Sequence, residues 1–423
     1  MPASPPVTSW SVTSRYFPAR AVVDLGAIRS NVTELARRAA PSADRQAQVL
    51  AVVKADGYGH GLVPAARAAV AGGATWLGAA QAQEALDLRA AGVTTRLLTW
   101  LAAPGAPYAE LLRADVDVSV ADVWALDAVV AAARETGRTA RVHVKVDTGL
   151  GRNGVMPDEL GDVLARAVQA QSEGVLEVVG IWSHLALADE PEHPSVLAQA
   201  EAFDDAVRLA ERAGAHLEVR HLANSAATLT APRLHYDLVR PGLAVYGLSP
   251  VPDLGGPGDY GLVPAMTLEA RLATVKRVPA GHGVSYGHRY TTTEDTVLGV
   301  VPVGYADGVP RHASGGPGTT GGPVRVGSGA TARTLGVAGR VCMDQVVVDL
   351  GPAATEAAGD TVVLFGSGAD GGPTAQDWAD AAGTISYEIT TRLGARVPRV
   401  YVGGPEDGAP TGQGETSEPP TGS

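Results

Sequence analysis

The chain has almost no cysteine: Cys342 is the only one in 423 residues. An intrachain disulfide is excluded, a reducing compartment is expected, and the lone thiol reads as a small buried hydrophobe without chemistry of its own. No apolar run approaches the ~20 residues of a membrane-spanning helix, and Met1–Arg20 holds prolines and polar residues but no apolar core of an export signal. A soluble, unexported, cytoplasmic protein is expected. Positive charge is not in surplus either. The formal net charge of -12 argues against non-specific binding to nucleic acid or anionic membrane, yet leaves open a local site for a small phosphate.

What is present is enough apolar matter for large cores, 45% of residues, in a chain long enough for two domains. Apolar strand-like runs fall at Val49–Val53, Thr75–Ala79, Arg96–Trp100, Val116–Val120, Arg141–Val146, Leu176–Trp182, Leu217–Leu222 and Asp237–Arg240. Ala-rich helical segments such as Ala82–Ala91 and Val123–Glu135 separate most of them. Strands alternating with helices imply a parallel sheet, and about eight such units over about 250 residues fit a (β/α)8 barrel. An open doubly wound sheet is the competing fold, but the glycines near the first strand do not have the spacing of a dinucleotide fingerprint. A short strand, Ala21–Asp24, precedes the rhythm, with a helix over Ala27–Ala40 whose Ile28, Val32, Leu35, Ala36 and Ala39 share one face. After Gly261 the runs shorten between Gly- and Pro-rich connections, which reads as a β-rich second domain with a mobile loop at Pro310–Pro323. The expected division is an extension at 1–20, the barrel at 21–262, the β-rich domain at 263–402 and a disordered tail at 403–423.

Chemistry should collect where barrel strands end. Val49–Val53 delivers Lys54 to a turn containing Gly57, Gly59 and Gly61. A lysine at the end of a buried strand is partly desolvated, which lowers its pKa and frees its amine to attack a carbonyl carbon. Taken alone, it reads equally well as a lysine reaching to solvent. Lys145 leaves the fifth strand through Val-Asp-Thr-Gly-Leu-Gly to Arg152, and His184 follows the next strand. Asn224 and Ser225, then Arg240-Pro-Gly242, close the barrel. Late strand ends of this fold hold phosphates, so a phosphate-bearing cofactor beside Lys54 is the simplest reading.

These strings, with Val53-Lys-Ala-Asp-Gly-Tyr-Gly-His60, Lys145-Val-Asp-Thr-Gly149, His221-Leu-Ala-Asn-Ser225, Val284-Ser-Tyr-Gly287, Gly304-Tyr-Ala-Asp-Gly308, Gly339-Arg-Val-Cys-Met-Asp344 and Ser386-Tyr-Glu388, resemble the alanine racemase family from about Arg20 to Tyr401. The resemblance implies pyridoxal 5'-phosphate, no metal, and interconversion of L- and D-alanine by two bases, supplying D-alanine for peptidoglycan. Lys54 would anchor the cofactor and act as base on one face. Tyr286, brought by the other chain of a head-to-tail homodimer, would act on the opposite face, with His184 in contact with it and with Arg240. The resemblance further implies Tyr58, Ser225, Gly242 and Tyr387 on the phosphate, Arg240 at the pyridine nitrogen, and Arg152 on the phenolic oxygen and substrate carboxylate. Met343 of the other chain would also meet that carboxylate, and Tyr305 with Tyr387 would narrow the pocket around a methyl group. Lys145 matches a lysine that the family can carbamylate, while an unmodified Lys145 packing by its stem is an equal alternative. A broad-specificity racemase, a fold-related decarboxylase and a non-catalytic cofactor carrier share parts of this pattern. The β-rich domain and Tyr286 argue against the carrier, and no cysteine string of the decarboxylase type is present.

Overall fold

The computed structural model describes residues 17–40, 46–369 and 371–404. Most of the expected N-terminal extension and of the expected tail thus lies outside the described residues. We number the strands β1 (Ala19–Asp24), β2 (Gln48–Val52), β3 (Trp76–Gln81), β4 (Arg96–Leu101), β5 (Asp117–Val120), β6 (Ala140–Lys145), β7 (Leu176–Trp182), β8 (Val219–His221) and β9 (Leu238–Val239). β2 to β9 form one parallel eight-stranded sheet in the order β8-β7-β6-β5-β4-β3-β2-β9. No strand ladder joins β8 to β9, but Asp237 N donates to Arg220 O at 3.1 Å and Arg240 N to Ala223 O at 2.9 Å, which draws the two edges into a nearly closed barrel. The strands are continuous apolar runs because both faces are covered, the inner by neighbouring strands and the outer by helices. Among the described residues no helix is long and apolar enough to cross a membrane.

β1, which the expected division places at the start of the barrel, pairs outside the barrel sheet. It pairs antiparallel with Met266–Arg271 and parallel with Arg399–Val402, inside a six-stranded sheet of the second domain. The barrel ring is complete without it, so its buried side chains find cover in the other sheet. A three-stranded sheet (Thr274–Val278, Thr296–Val301, Val346–Asp349) and a two-stranded hairpin (Gly283–Val284, Tyr290–Thr291) complete the mainly β domain. It also carries the helices Ala375–Ala382 and Ser386–Thr391. The loop read as mobile is packed over its first half: Ala313 and Ser314 are buried, and a Cβ on Gly315 would lie 1.9 Å from Val337 O. Its glycines answer to close packing.

One buried side chain ties the two parts. Asn31, on the helix Leu25–Ala39, donates through Nδ2 to Val245 O at 3.2 Å and Val263 O at 2.9 Å, and accepts from Val263 N at 2.8 Å. These are the residues where the chain leaves the barrel. Asn31→Ala should destabilise the protein by about 1–3 kcal/mol, the penalty of stranding buried amide groups. The check is the thermal midpoint, which should fall by several degrees; an unchanged midpoint would show that water replaces the amide at no loss.

Candidate active site

A cavity of about 460 Å³ opens at the carboxyl ends of the barrel strands. Its wall includes Lys54, Tyr58, Lys145, Arg152, His184, Ser225, Arg240, Gly242 and Tyr387, so nine of the residues singled out by sequence meet in one place. Among the described residues none of its lining side chains is a carboxylate. Only three lysines occur in the chain, Lys54, Lys145 and Lys276, and two of them are here.

Lys54 is delivered by an unusual turn. Ala55, Asp56, Gly57 and Tyr58 all have left-handed backbones, with φ of 53°, 54°, 61° and 52°. For residues with a Cβ that conformation costs roughly 1–2 kcal/mol each, and it persists because neighbours over-determine it. Glu84 accepts from Ala55 N at 2.6 Å, Asp56 from Leu62 N at 2.8 Å, and Arg399 of the second domain donates to Gly59 O at 2.8 Å. The glycines serve this docking: a Cβ on Gly59 would lie 2.2 Å from Thr390 O, and one on Gly61 would lie 2.0 Å from Tyr401 Oη. Burial lowers the pKa of Lys54, and the Arg152 cation lowers it further.

Arg240 is buried and, among the described residues, has no carboxylate of its own. Its Nη2 donates to Ser183 O at 2.7 Å and Leu222 O at 3.1 Å, and lies 3.4 Å from His184 Nδ1. Since a guanidinium only donates, His184 Nδ1 must accept, which leaves the proton on Nε2. Burial and then Arg240 push the His184 pKa well below its ordinary value, so the imidazole is neutral. The Trp182 ring carries the Lys145 ammonium 4.6 Å and the Arg240 guanidinium 4.8 Å from its centroid. Burial, Arg152 and Arg240 bring Lys145 down to about 8.

At the closing end, Ser225 Oγ accepts from Gly242 N at 2.7 Å and Ala244 N at 3.3 Å, so its own hydrogen is free to donate into the cavity. The helix there is capped by Asn224, which accepts from Ala227 N at 3.1 Å. Gly242 has no room for a side chain, since a Cβ would lie 2.2 Å from Tyr58 Oη. Burial raises Tyr58 and Tyr387, the latter to about 12, so both phenols remain donors at neutral pH. Arg152 stands on a loop gathered by one carboxylate. Asp147 accepts from the backbone N–H groups of Gly149, Leu150, Gly151 and Arg152 at 2.9 to 3.1 Å.

Asp147, Glu84 and Trp182 were not singled out by sequence. The first had a signal in the Asp-Thr-Gly-Leu-Gly turn chemistry, and Glu84 had one in its spacing from Gln81, which it caps. Trp182 read only as the end of a strand.

Tyr286, Met343 and Tyr305 do not line the cavity of their own chain. They are 71%, 53% and 40% exposed, large side chains left on the surface of the second domain. Tyr286 leads the turn of the hairpin, after Ser285 at φ 58°. Met343 and Tyr305 lie on adjoining segments, where Ala306 N donates to Met343 O at 2.9 Å and Tyr305 N to Cys342 O at 3.0 Å.

A barrel with a lysine-centred, wholly cationic cavity at its strand ends, joined to a β-domain that braces the lysine loop, defines a barrel enzyme for an anionic ligand. The matches to known proteins make it specific. Residues 23–250 match the family model for the alanine racemase N-terminal domain, and residues 265–401 that for the C-terminal domain. The alanine racemase of Beutenbergia cavernae is 63% identical over 388 residues, covering 92% of this chain and 99% of that one. That of Frankia casuarinae is 56% identical over 382 residues, 90% and 96% of the two chains. The crystal structure of the alanine racemase from D-cycloserine-producing Streptomyces lavendulae superposes with a TM-score of 0.88 at 55% identity, covering 93% of this chain and 99% of that one. The chain belongs to the alanine racemase family and is a racemase of the isomerase class.

Reactivity tests the electrostatics directly. Brief reductive methylation of the cofactor-free protein at pH 8 should label Lys54 before the exposed Lys276, because a depressed pKa leaves more free amine. Peptide mapping reads the order, and Lys276 labelled first would contradict it.

Proposed function

We propose that the chain interconverts L- and D-alanine with pyridoxal 5'-phosphate, and so supplies D-alanine for peptidoglycan synthesis. The observation that carries this reading is the lysine inside a cavity whose four cations, Lys54, Lys145, Arg152 and Arg240, face no carboxylate among the described lining residues. Such a wall is matched by a phosphate plus a carboxylate. The residues fit the cofactor: Lys54 would hold its aldehyde carbon, and Tyr58, Ser225, Gly242 and Tyr387 its phosphate. Arg240 would meet its ring nitrogen, and Arg152 its phenolic oxygen together with the substrate carboxylate. When bound, the cofactor supplies a ring that draws off the electron pair left by the α-proton.

Racemisation needs a proton taken from one face and returned to the other. Lys54, with its lowered pKa, serves one face as amine and ammonium in turn. Opposite it we assign no second base to the described residues that line the cavity. Tyr286, exposed on the second domain, fills that place when it comes from another copy in a head-to-tail homodimer, with Met343 and Tyr305 buried at the same contact. His184 is prepared for it. Its Nε2 proton, fixed there by Arg240 on Nδ1, can donate to the Tyr286 oxygen and stabilise the phenolate that a base requires. Tyr305 of that copy and Tyr387 would leave room for a methyl group. Lys145, at about 8, keeps the neutral amine that carbon dioxide needs to form a carbamate, and a carbamate there would hold Arg152.

The purified holoenzyme should abolish the optical rotation of L-alanine, and Lys54→Ala and Tyr286→Phe should each be inactive or nearly so. Mixing the two variants should then restore activity, since half of the sites in mixed dimers are intact. No recovery after verified subunit exchange would mean that both bases come from one chain, and equal rates on lysine and alanine would favour a broad-specificity racemase.

A further inference from the structure

Behind Arg240 the barrel interior holds a line of polar groups that the proposed reaction leaves unused. Arg240 Nη1 lies 3.2 Å from His221 Nδ1, His221 Nε2 lies 2.9 Å from His143 Nδ1, and His143 Nε2 lies 3.3 Å from Asp117 Oδ2. The line runs from the cavity to the opposite end of the barrel, since Asp117 opens β5. There Asp117 meets Arg96 at 3.1 Å and Arg141 at 3.3 Å, and Glu218 holds both arginines from the other side at 2.8 Å. Both imidazoles are wholly buried. They are also clamped. Trp182 stacks on His221 at 5.6 Å, Trp76 meets His143 edge-on at 5.6 Å, and Gly180 makes room, since a Cβ there would lie 2.2 Å from His143 Nδ1.

The two ends fix the direction of every bond. A guanidinium can only donate and an ionised carboxylate can only accept. His143 must therefore carry its proton on Nε2, which makes its Nδ1 the acceptor for His221 Nε2–H, and leaves His221 Nδ1 to accept from Arg240. Protonating either ring would set N–H against N–H somewhere in the line. Both rings are neutral, and each is locked in one tautomer. Burial and the Arg240 cation push His221 well below its ordinary pKa, in keeping with this.

We propose that His221, His143 and Asp117 are positioning residues for the racemase reaction, a one-way hydrogen-bond line that brings the Asp117 charge to Arg240. The inference rests on the reading of Arg240 as the partner of the cofactor ring nitrogen. Among the described residues Arg240 has no carboxylate in contact, so the line is how negative charge reaches it, through two aligned imidazole dipoles. It holds the guanidinium plane while Nε, without a partner among the described residues, is left for the cavity. It also damps the positive charge offered to the ring. Without the line the ring would draw electrons more strongly and the carbanion would live longer. More alanine would then leave as pyruvate, its amino group remaining on the cofactor.

Two measurements test this. Histidine-selective ¹⁵N NMR of the wild-type protein at pH 7, with and without cofactor, should find His143 and His221 each with its single proton on Nε2. The signals are assigned by their loss in His143→Gln and His221→Gln. A proton on Nδ1, or a charged ring at pH 7, overturns the proposal without reference to activity. In the holoenzyme, Asp117→Asn and His143→Gln should raise pyruvate released per racemisation about fivefold or more, with the KM for alanine within twofold. Arg96→Gln, which removes one ion pair from Asp117 but spares the line, should leave that ratio within twofold. An unchanged ratio in folded, cofactor-loaded Asp117→Asn and His143→Gln also overturns it. A wild type that does not racemise alanine would instead sink the functional reading and leave the NMR result standing.

Discussion

Four cations share one desolvated cavity, and the described side chains on its wall do not neutralise them. Like charges held together in a low-dielectric site raise the free energy of the empty protein, and they do so in the ligand's favour: an anion relieves a penalty already present. Burial first, and then the neighbouring cations, take proton affinity from Lys54 and Lys145 and keep His184 neutral. Burial also keeps the protons on the tyrosines that touch the cavity, which stay donors.

Holding such a site open requires rigidity from elsewhere, and the second domain contributes it. Arg399 reaches the Lys54 turn and also binds the carbonyls of Leu393, Gly394 and Val397, so one guanidinium fastens the Lys54 loop to the β-domain's last turn. The same domain turns Tyr286, Met343 and Tyr305 outward. In the proposed dimer one domain would brace the site of its own chain and equip that of another.

Much of the barrel was legible because its cause is local. Buried parallel strands must be apolar runs, and glycines must follow Lys54 where Thr390 and Tyr401 press against the loop. What was not legible depends on distant partners. β1 looks like any short strand, and only its pairing with Met266–Arg271 and Arg399–Val402 assigns it to the second domain. The helix Ser386–Thr391 hid inside a stretch whose Gly- and Pro-rich surroundings read as β. His143 and His221 sat in strings that appeared to be ordinary strand interior, and their line to Asp117 exists only because β5, β6 and β8 curve around one axis. Lys54, Lys145, Arg152, His184, Ser225 and Arg240 were found through their order at strand ends, Tyr58 and Tyr387 only through the family resemblance, and the exposed Tyr286, Met343 and Tyr305 would be explained by the second copy proposed above.

The claim that unbalanced positive charge defines the site is tested most directly on the cofactor-free protein in bicarbonate-free buffer. Lys145 is held at about 8 against an ordinary 10.5, so the unfolded chain binds the proton more tightly than the folded one. Between those values stability should rise with pH, and below them the full penalty is present. The measurement is the thermal midpoint in inorganic phosphate against chloride at equal ionic strength, at pH 7.5 and at pH 10. Phosphate should raise the midpoint at pH 7.5 and raise it less at pH 10, where Lys145 has lost its charge. A midpoint that phosphate leaves unchanged at pH 7.5 would contradict the account.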